Sequence, residues 1–208
     1  FQAEDGIRDD ISCLVGSEMC IRDRYNSGFY GKLMAERILS GGKLRVDWID
    51  HELVEKGALG LTILPGRKDY SRSIDDDLHQ LKVAGVDVVI PLITDDEFHH
   101  FGVDDLLKEY DENGFIVYRL PIMDQLVSSE KEMRLLTNFV DEQIQQGRKV
   151  LMHCVGGLGR SGMAAASYLK FKGLTPEKAI ETVREARGPR AIESKIQEEF
   201  VYDILFGN

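Results

Sequence analysis

Cysteine is scarce in this 208-residue sequence, which holds only Cys13, Cys20 and Cys154. An odd, sparse count is not a disulfide framework and points to a reducing, cytoplasmic compartment. No stretch approaches 18 consecutive apolar residues, so no membrane-spanning helix and no membrane partner are expected. The first residues carry no apolar run of signal-peptide type. Positive charge is also short, with 26 Lys and Arg against 36 Asp and Glu and a formal net charge of −10. That balance argues against nucleic acid as a partner, because gripping a phosphate backbone wants a basic surface. It leaves small anionic ligands open, since one local positive pocket overrides a distant negative field. No cluster with metal-ligand spacing is visible, and neither a metal nor another cofactor is expected. Internal repeats and low-complexity tracts are absent too.

What remains is ordinary for a globular enzyme, 43% hydrophobic and 30% charged. The opening segment differs. The chain begins with Phe1, so a fragment of a longer protein is expected, and FQAEDGIRD at 1–9 and SEMCIRDR at 17–24 resemble translated sequencing-adapter DNA. Over 1–24 no amphipathic period persists, which marks an artefact or a disordered leader and leaves Cys154 as the one cysteine of the folded part. Residues 25–43 read as a short helical segment (GFYGKLMAERILSGG at 28–42), a remnant of a lost upstream domain, and 44–208 as the main domain.

Within that domain the periodicity predicts strands over 44–49 and 59–66, the second closed by Pro65-Gly66. Ser73 caps a helix over 74–84, and VDVVIPL at 86–92 reads as a buried strand. A helix over 103–112 stopped by Asn113-Gly114 precedes a strand at 115–121. A long helix runs from Ser128 or Ser129 to about Gln146, then a strand over 149–154 and a helix over 160–172. Thr175-Pro176 opens a helix to about Arg187, and a last helix covers about 193–206. This rhythm predicts an α/β fold with a largely parallel central sheet and helices on both faces. Ligands of such folds bind beyond the carboxyl ends of strands, where Cys154 falls.

The segment HCVGGLGRSG at 153–162 concentrates the chemistry. A cysteine ends an apolar strand, five residues follow, three of them glycine, and Arg160 opens a helix. Glycines let the backbone of Val155, Gly156, Gly157, Leu158 and Gly159 curl so that successive N–H groups form an anion nest. The helix start adds its positive dipole end. Arg160 offers a planar fork that can grip two phosphate oxygens. The same positive surroundings favour the thiolate form of Cys154.

This Cys-x5-Arg-Ser loop with its preceding His resembles the signature of the protein tyrosine and dual-specificity phosphatases. LGLTILPG, HCVGGLGRSG and TPEKAIETVREARGPRAIE, in that order, resemble the kinase-associated phosphatase branch over roughly residues 44–205. The resemblance implies the protein tyrosine phosphatase-like fold and a phosphate monoester hydrolase working through a phosphocysteine intermediate. Cys154 would attack phosphorus, Arg160 would hold the equatorial oxygens, Ser161 would hydrogen-bond the sulfur, and His153 would support the loop. LPIMDQ at 120–125 places Asp124 thirty residues before Cys154, where the family keeps its general acid. One departure concerns water positioning: AIES puts Glu193 where the family has glutamine, and Gln197 matches a second glutamine, so neither is assigned.

Other readings stay open. The same cradle would serve a phosphatase of inositol phosphates, phosphoinositides or RNA 5′-triphosphate, although Val155 to Leu158 hold no lysine to match several phosphates. A non-catalytic phosphate-binding module is a further alternative. Asp95, Asp96, Asp104 and Asp105 compete with Asp124 as acids. His99-His100 reads as solvated, and Arg67, Lys68 and Arg72 as a basic surface slightly more than as a substrate entrance. Arg187 and Arg190 read as organisers of the loop, and the alanines of 164–166 as helix packing. The physiological substrate, the choice among phosphotyrosine, phosphoserine and phosphothreonine, and the oligomeric state are not legible.

Overall fold

The computed structural model describes residues 42–206. The segment 1–24 and the helix expected over 28–42 lie outside the described residues, but for Gly42. In chain order the elements are β1 (Asp47–Trp48), β2 (Ala58–Thr62), α1 (Ile74–Val83), β3 (Val88–Pro91), α2 (Asp95–His100), α3 (Leu106–Glu112), β4 (Ile116–Val117), α4 (Glu130–Gln145), β5 (Lys149–His153), α5 (Gly159–Phe171), α6 (Pro176–Arg187) and α7 (Lys195–Asp203). Short 3₁₀ turns occupy Glu52–Val54 and Lys68–Tyr70.

The strands form one sheet in the order β1-β2-β5-β3-β4. Four run parallel, and only the edge strand β1 is antiparallel to its neighbour. Every residue of β3 is buried, and in β5 Val150 to His153 are. Successive strand residues point to opposite faces, so both faces of the sheet centre are covered, the pattern of a parallel sheet between helices. Gly60 of β2 has a packing reason: a Cβ there would stand 2.7 Å from the Trp48 ring of β1.

Local sequence explains the helix ends. Ser73 and Thr175 accept from backbone N–H groups three residues on, and Pro176 takes the first helical position. Ser129 with Glu132 and Ser194 with Gln197 form reciprocal capping boxes. In α4, Met133, Leu136, Val140 and Ile144 recur at helical spacing and are buried.

Several expected boundaries move. Of the strand expected over 44–49 only Asp47–Trp48 pairs in the sheet; before it side chains take the backbone, Leu44 N donating to Gln80 Oε1 and Thr62 Oγ1 to the Arg45 carbonyl, and after it Ile49 N still donates to the Leu59 carbonyl. The 115–121 strand is reduced to Ile116–Val117, yet Tyr118, Leu120 and Ile122 N–H groups still bond to Val89, Pro91 and Leu92. The helix expected from Val103 starts at Leu106, and the last helix ends at Asp203. Helix α2 was not foreseen, although Thr94 and Glu97 carry the legible signal, a capping box.

Thr62, Pro91 and His153 stand in register at the carboxyl ends of β2, β3 and β5. The segments that leave those strands therefore converge on one edge of the sheet, and Cys154 is the first residue beyond it.

Candidate active site

The loop after β5 is held by its carbonyls. Val155 O accepts from Leu64 N and from Arg67 Nη1, both at 3.1 Å. Gly156 O and Gly157 O accept from Arg187, through Nη2 at 2.9 Å and Nε at 2.7 Å. Leu158 O accepts from Gly162 N and Ile192 N. Peptide planes are rigid, so fixing each oxygen outward turns the following N–H inward. The N–H groups of Val155 to Leu158 meet no acceptor among the described residues, and α5 begins at Gly159 with its dipole aimed at the same place. Gly157 sits at φ 64°, and a Cβ on it would stand 2.2 Å from the Thr62 carbonyl oxygen. Loop and helix start make an anion cradle.

Cys154 is reduced and 2% exposed, at the floor of this cradle. Its sulfur lies 3.5 Å from Ser161 Oγ on the first turn of α5. His153 is fully buried, with Nδ1 3.3 Å from the Cys154 carbonyl and Nε2 3.0 Å from the Tyr110 hydroxyl of α3. A carbonyl can only accept, so Nδ1 carries the proton and Nε2 accepts from Tyr110. Burial pushes the imidazole down to about 4, and Arg160 nearby adds to this. The neutral ring props the loop and is no base at ordinary pH.

Arg160 is 1% exposed. Its Nη1 and Nη2 each donate to the Glu97 carboxylate at 2.7 Å, and Nη1 also reaches the Ile122 carbonyl at 2.9 Å. Burial works against its charge, but the bonds it donates to Glu97 and the charges of Cys154, Glu97 and Asp124 prevail and hold it protonated. The end of the fork expected to grip phosphate is therefore occupied by Glu97. The side edge is different: Nε is buried without a hydrogen-bond partner among the described residues. An orphaned buried donor is costly, and a phosphate oxygen in the cradle would satisfy it.

Asp124 lies 3.1 Å from Arg160 Nη2, with its side chain 65% exposed. Among the candidate acids it alone is brought to the arginine. Asp95 pairs with Arg119, and Asp104 with the exposed His99. Glu193 and Gln197 reach the rim: a Cβ on Gly159 would stand 2.8 Å from Glu193 Oε2 and 2.9 Å from Gln197 Oε1.

Two readings of the arginines change. Arg67 and Arg72 are buried, not surface residues: Arg67 stacks on Tyr70 and Phe101, and Arg72 forms a buried pair with Asp77. Arg187 bonds to the loop at Gly156 and Gly157, anchored in turn by Asp47 at 2.7 Å, whereas Arg190 makes no hydrogen bond or ion pair to the loop among the described residues. Ala164 to Ala166 are fully buried, as helix packing requires. Glu97 and Tyr110 were missed. Glu97 sits in an acidic run in which nothing local distinguishes a partner of Arg160 from a helix cap.

Residues 65–174 match the family described as "Polymorphic toxin system, DSP-PTPase phosphatase". Cyclin-dependent kinase inhibitor 3 of Sus scrofa is 32% identical over 165 residues, covering 77% of this chain and 78% of that protein. The Homo sapiens protein of the same name is 32% identical over 169 residues with the same coverage. Among solved structures, kinase associated phosphatase with serine in place of its catalytic-site cysteine superposes with a TM-score of 0.72 at 29% identity, covering 77% of this chain and 93% of the other. Tk-PTP in its active form gives 0.61 at 28% identity, covering 76% and 95%. With more than half of its residues matched by this family and 32% identity to relatives covered over 78% of their length, the chain that carries this strand-ending cysteine and buried arginine belongs to the cysteine-dependent protein tyrosine and dual-specificity phosphatases.

Proposed function

We propose that this phosphatase removes phosphate from phosphorylated proteins or small phosphate esters through a phosphocysteine on Cys154. The sulfur attacks phosphorus as the bond to the leaving oxygen breaks, and Asp124 gives that oxygen its proton. Asp124, now a carboxylate, takes a proton from water, which attacks phosphorus and breaks the S–P bond. Inorganic phosphate leaves, and the departing sulfur is eased by the Ser161 hydroxyl. The amides of the 155–159 loop and the Nε edge of Arg160 hold the equatorial oxygens, where charge sits in a loose transition state. His153 supports the loop. The observation that supports this reading is the bonding of the loop carbonyls to Leu64, Arg67, Arg187 and Ile192, with the amides of Val155 to Leu158 left without an acceptor among the described residues beside Cys154.

The catalytic domain is assigned to 44–208, since core residues run from Leu44 to Ile204. No helix among the described residues is long and apolar enough to cross a membrane, and the cytoplasm suits a mechanism that needs a reduced thiol. Absence of lysine from 155–158 favours a monoester over a polyphosphate.

The test is phosphate release from a phosphotyrosine peptide, a phosphothreonine peptide, an inositol phosphate and triphosphate-ended RNA. Wild type releases it from the peptides first, and Cys154→Ser releases none while keeping the fold. Equal turnover by wild type and Cys154→Ser refutes the cysteine mechanism. A preference for the inositol phosphate or the RNA refutes the substrate class alone.

A further inference from the structure

Asp124 has little of its own to hold it. Its side chain is mostly exposed, and its one ion pair among the described residues is with Arg160. The next residue, Gln125, sits at φ 59°, one of three non-glycine residues with positive φ in the described part. A residue with a Cβ keeps that conformation only where its surroundings impose it.

The surroundings here are the start of α7. Ser194 Oγ donates to the Gln125 carbonyl at 2.8 Å. Gln197 Nε2 donates to the Leu126 carbonyl at 3.3 Å. Gln197 is fully buried, and its Oε1 accepts from Ser194 N at 3.3 Å. A turn closed by Leu126 N on the Met123 carbonyl completes the loop. Ser194 therefore uses its hydroxyl twice: the oxygen caps α7 by accepting from Gln197 N, and the hydrogen ties down the carbonyl next to Asp124.

We propose that Ser194 is a positioning residue for the acid step: its hydroxyl, bonded to the Gln125 carbonyl, holds the left-handed turn that sets Asp124 beside Arg160. The inference rests on Asp124 being the general acid. Loss of this bond frees the loop to carry the carboxyl away from the leaving oxygen, while nucleophile and phosphate cradle stay intact. The defect then grows with the need for protonation, being severe for a poor leaving group and slight for a good one.

Three substitutions separate the two uses of the hydroxyl. Ser194→Thr keeps cap and donor. Ser194→Asp caps a helix as well as serine does but has no hydrogen to donate when ionised. Ser194→Ala removes both. Single-turnover cleavage of phenyl phosphate and of 4-nitrophenyl phosphate is measured for each, beside Asp124→Asn and the double variant, with thermal midpoints. We expect Ser194→Asp and Ser194→Ala to lose about tenfold or more on phenyl phosphate, part of the ~10²–10⁴ a general acid supplies, and about twofold or less on the nitrophenyl ester. Ser194→Thr retains both rates, and Ser194→Asp adds no further loss in the Asp124→Asn background. An equal loss on both esters, or none, overturns the inference. If Asp124→Asn shows the leaving-group dependence and the Ser194 variants do not, the inference alone falls. If Asp124→Asn lacks it, the acid assignment falls and takes the inference with it.

Discussion

Glu97 and Arg160 meet through two parallel hydrogen bonds of 2.7 Å, joining the first turn of α2 to the first turn of α5. The same carboxylate accepts from Thr94 N at 2.9 Å and so caps its own helix. One side chain thereby fixes where α2 begins and how the guanidinium is turned, with Nε left buried and without a hydrogen-bond partner among the described residues.

Glu97→Ala should therefore damage catalysis without touching the nucleophile. A hydrogen bond to a charged group is worth about 1.5–3 kcal/mol, and the pair is largely shielded from water. We expect a stability loss of about 2 kcal/mol in urea unfolding and a fall in kcat/KM of about tenfold or more. Glu97→Gln, which keeps the shape, should fall between. Unaltered kcat/KM in Glu97→Ala would show that Arg160 is held well enough by Ile122 and the cradle.

Stability should fall as pH drops from 6.5, with His153 as a cause. Its folded pKa of about 4 lies below the ordinary 6.5, so between those values the unfolded chain binds the proton that the buried ring refuses. The contribution is complete above 6.5 and is lost as pH falls toward 4, about 3 kcal/mol in all. Glu97 acts in a lower window. Burial alone would raise its carboxyl, but the bonds from Arg160 and Thr94 prevail and lower it. Its contribution is present above 4.5 and disappears as pH falls below that through the lowered value. Urea midpoints at stepped pH should show the upper slope flattened in His153→Gln; an unchanged slope would remove His153 as its source.

Arg187→Lys tests the outward fixing of the loop. Lysine keeps the charge near Asp47 but cannot serve Asp47, Gly156 O and Gly157 O with one planar fork. Orthophosphate binding should weaken about tenfold, and Arg187→Ala, which leaves Asp47 to the mostly exposed Arg45, should cost about 1.5–3 kcal/mol of stability. Isothermal titration and thermal unfolding read the two effects.

The glycines of the loop are not equivalent. Gly157→Ala places a Cβ 2.2 Å from the Thr62 carbonyl oxygen at a positive φ, so it should lower the thermal midpoint and remove phosphate binding. Gly156→Ala meets nothing within 4 Å and should leave stability within about 0.5 kcal/mol. Equal destabilisation by both would contradict the close approach of Gly157 to β2.

Helix ends were the most legible part of the fold, because a capping Ser or Thr satisfies backbone groups within its own turn: Ser73, Ser129 and Thr175 are where the pattern puts them. The edge segments were read too long. The patterns at 44–49 and 115–121 describe which residues face the core, and backbone bonds continue past the ladder there, from Ile49 N to the Leu59 carbonyl and from Tyr118, Leu120 and Ile122 N to those of Val89, Pro91 and Leu92. The site was legible where it is continuous, over 153–162, and obscure where a partner arrives from elsewhere. Arg67 looked like surface charge until Tyr70 and Phe101 closed over it.

The sequence by itself determined that a cysteine, a glycine-rich turn and an arginine stand together on one loop and one helix start, because those residues are continuous in the chain. Only the tertiary structure decided which way that loop faces and which edge of the arginine is left over. Those depend on Arg187 reaching across from α6, Glu97 from α2 and Ser194 from α7. A hydrogen bond between residues far apart in the chain forms only after the sheet has brought its ends together, and no local spacing announces it.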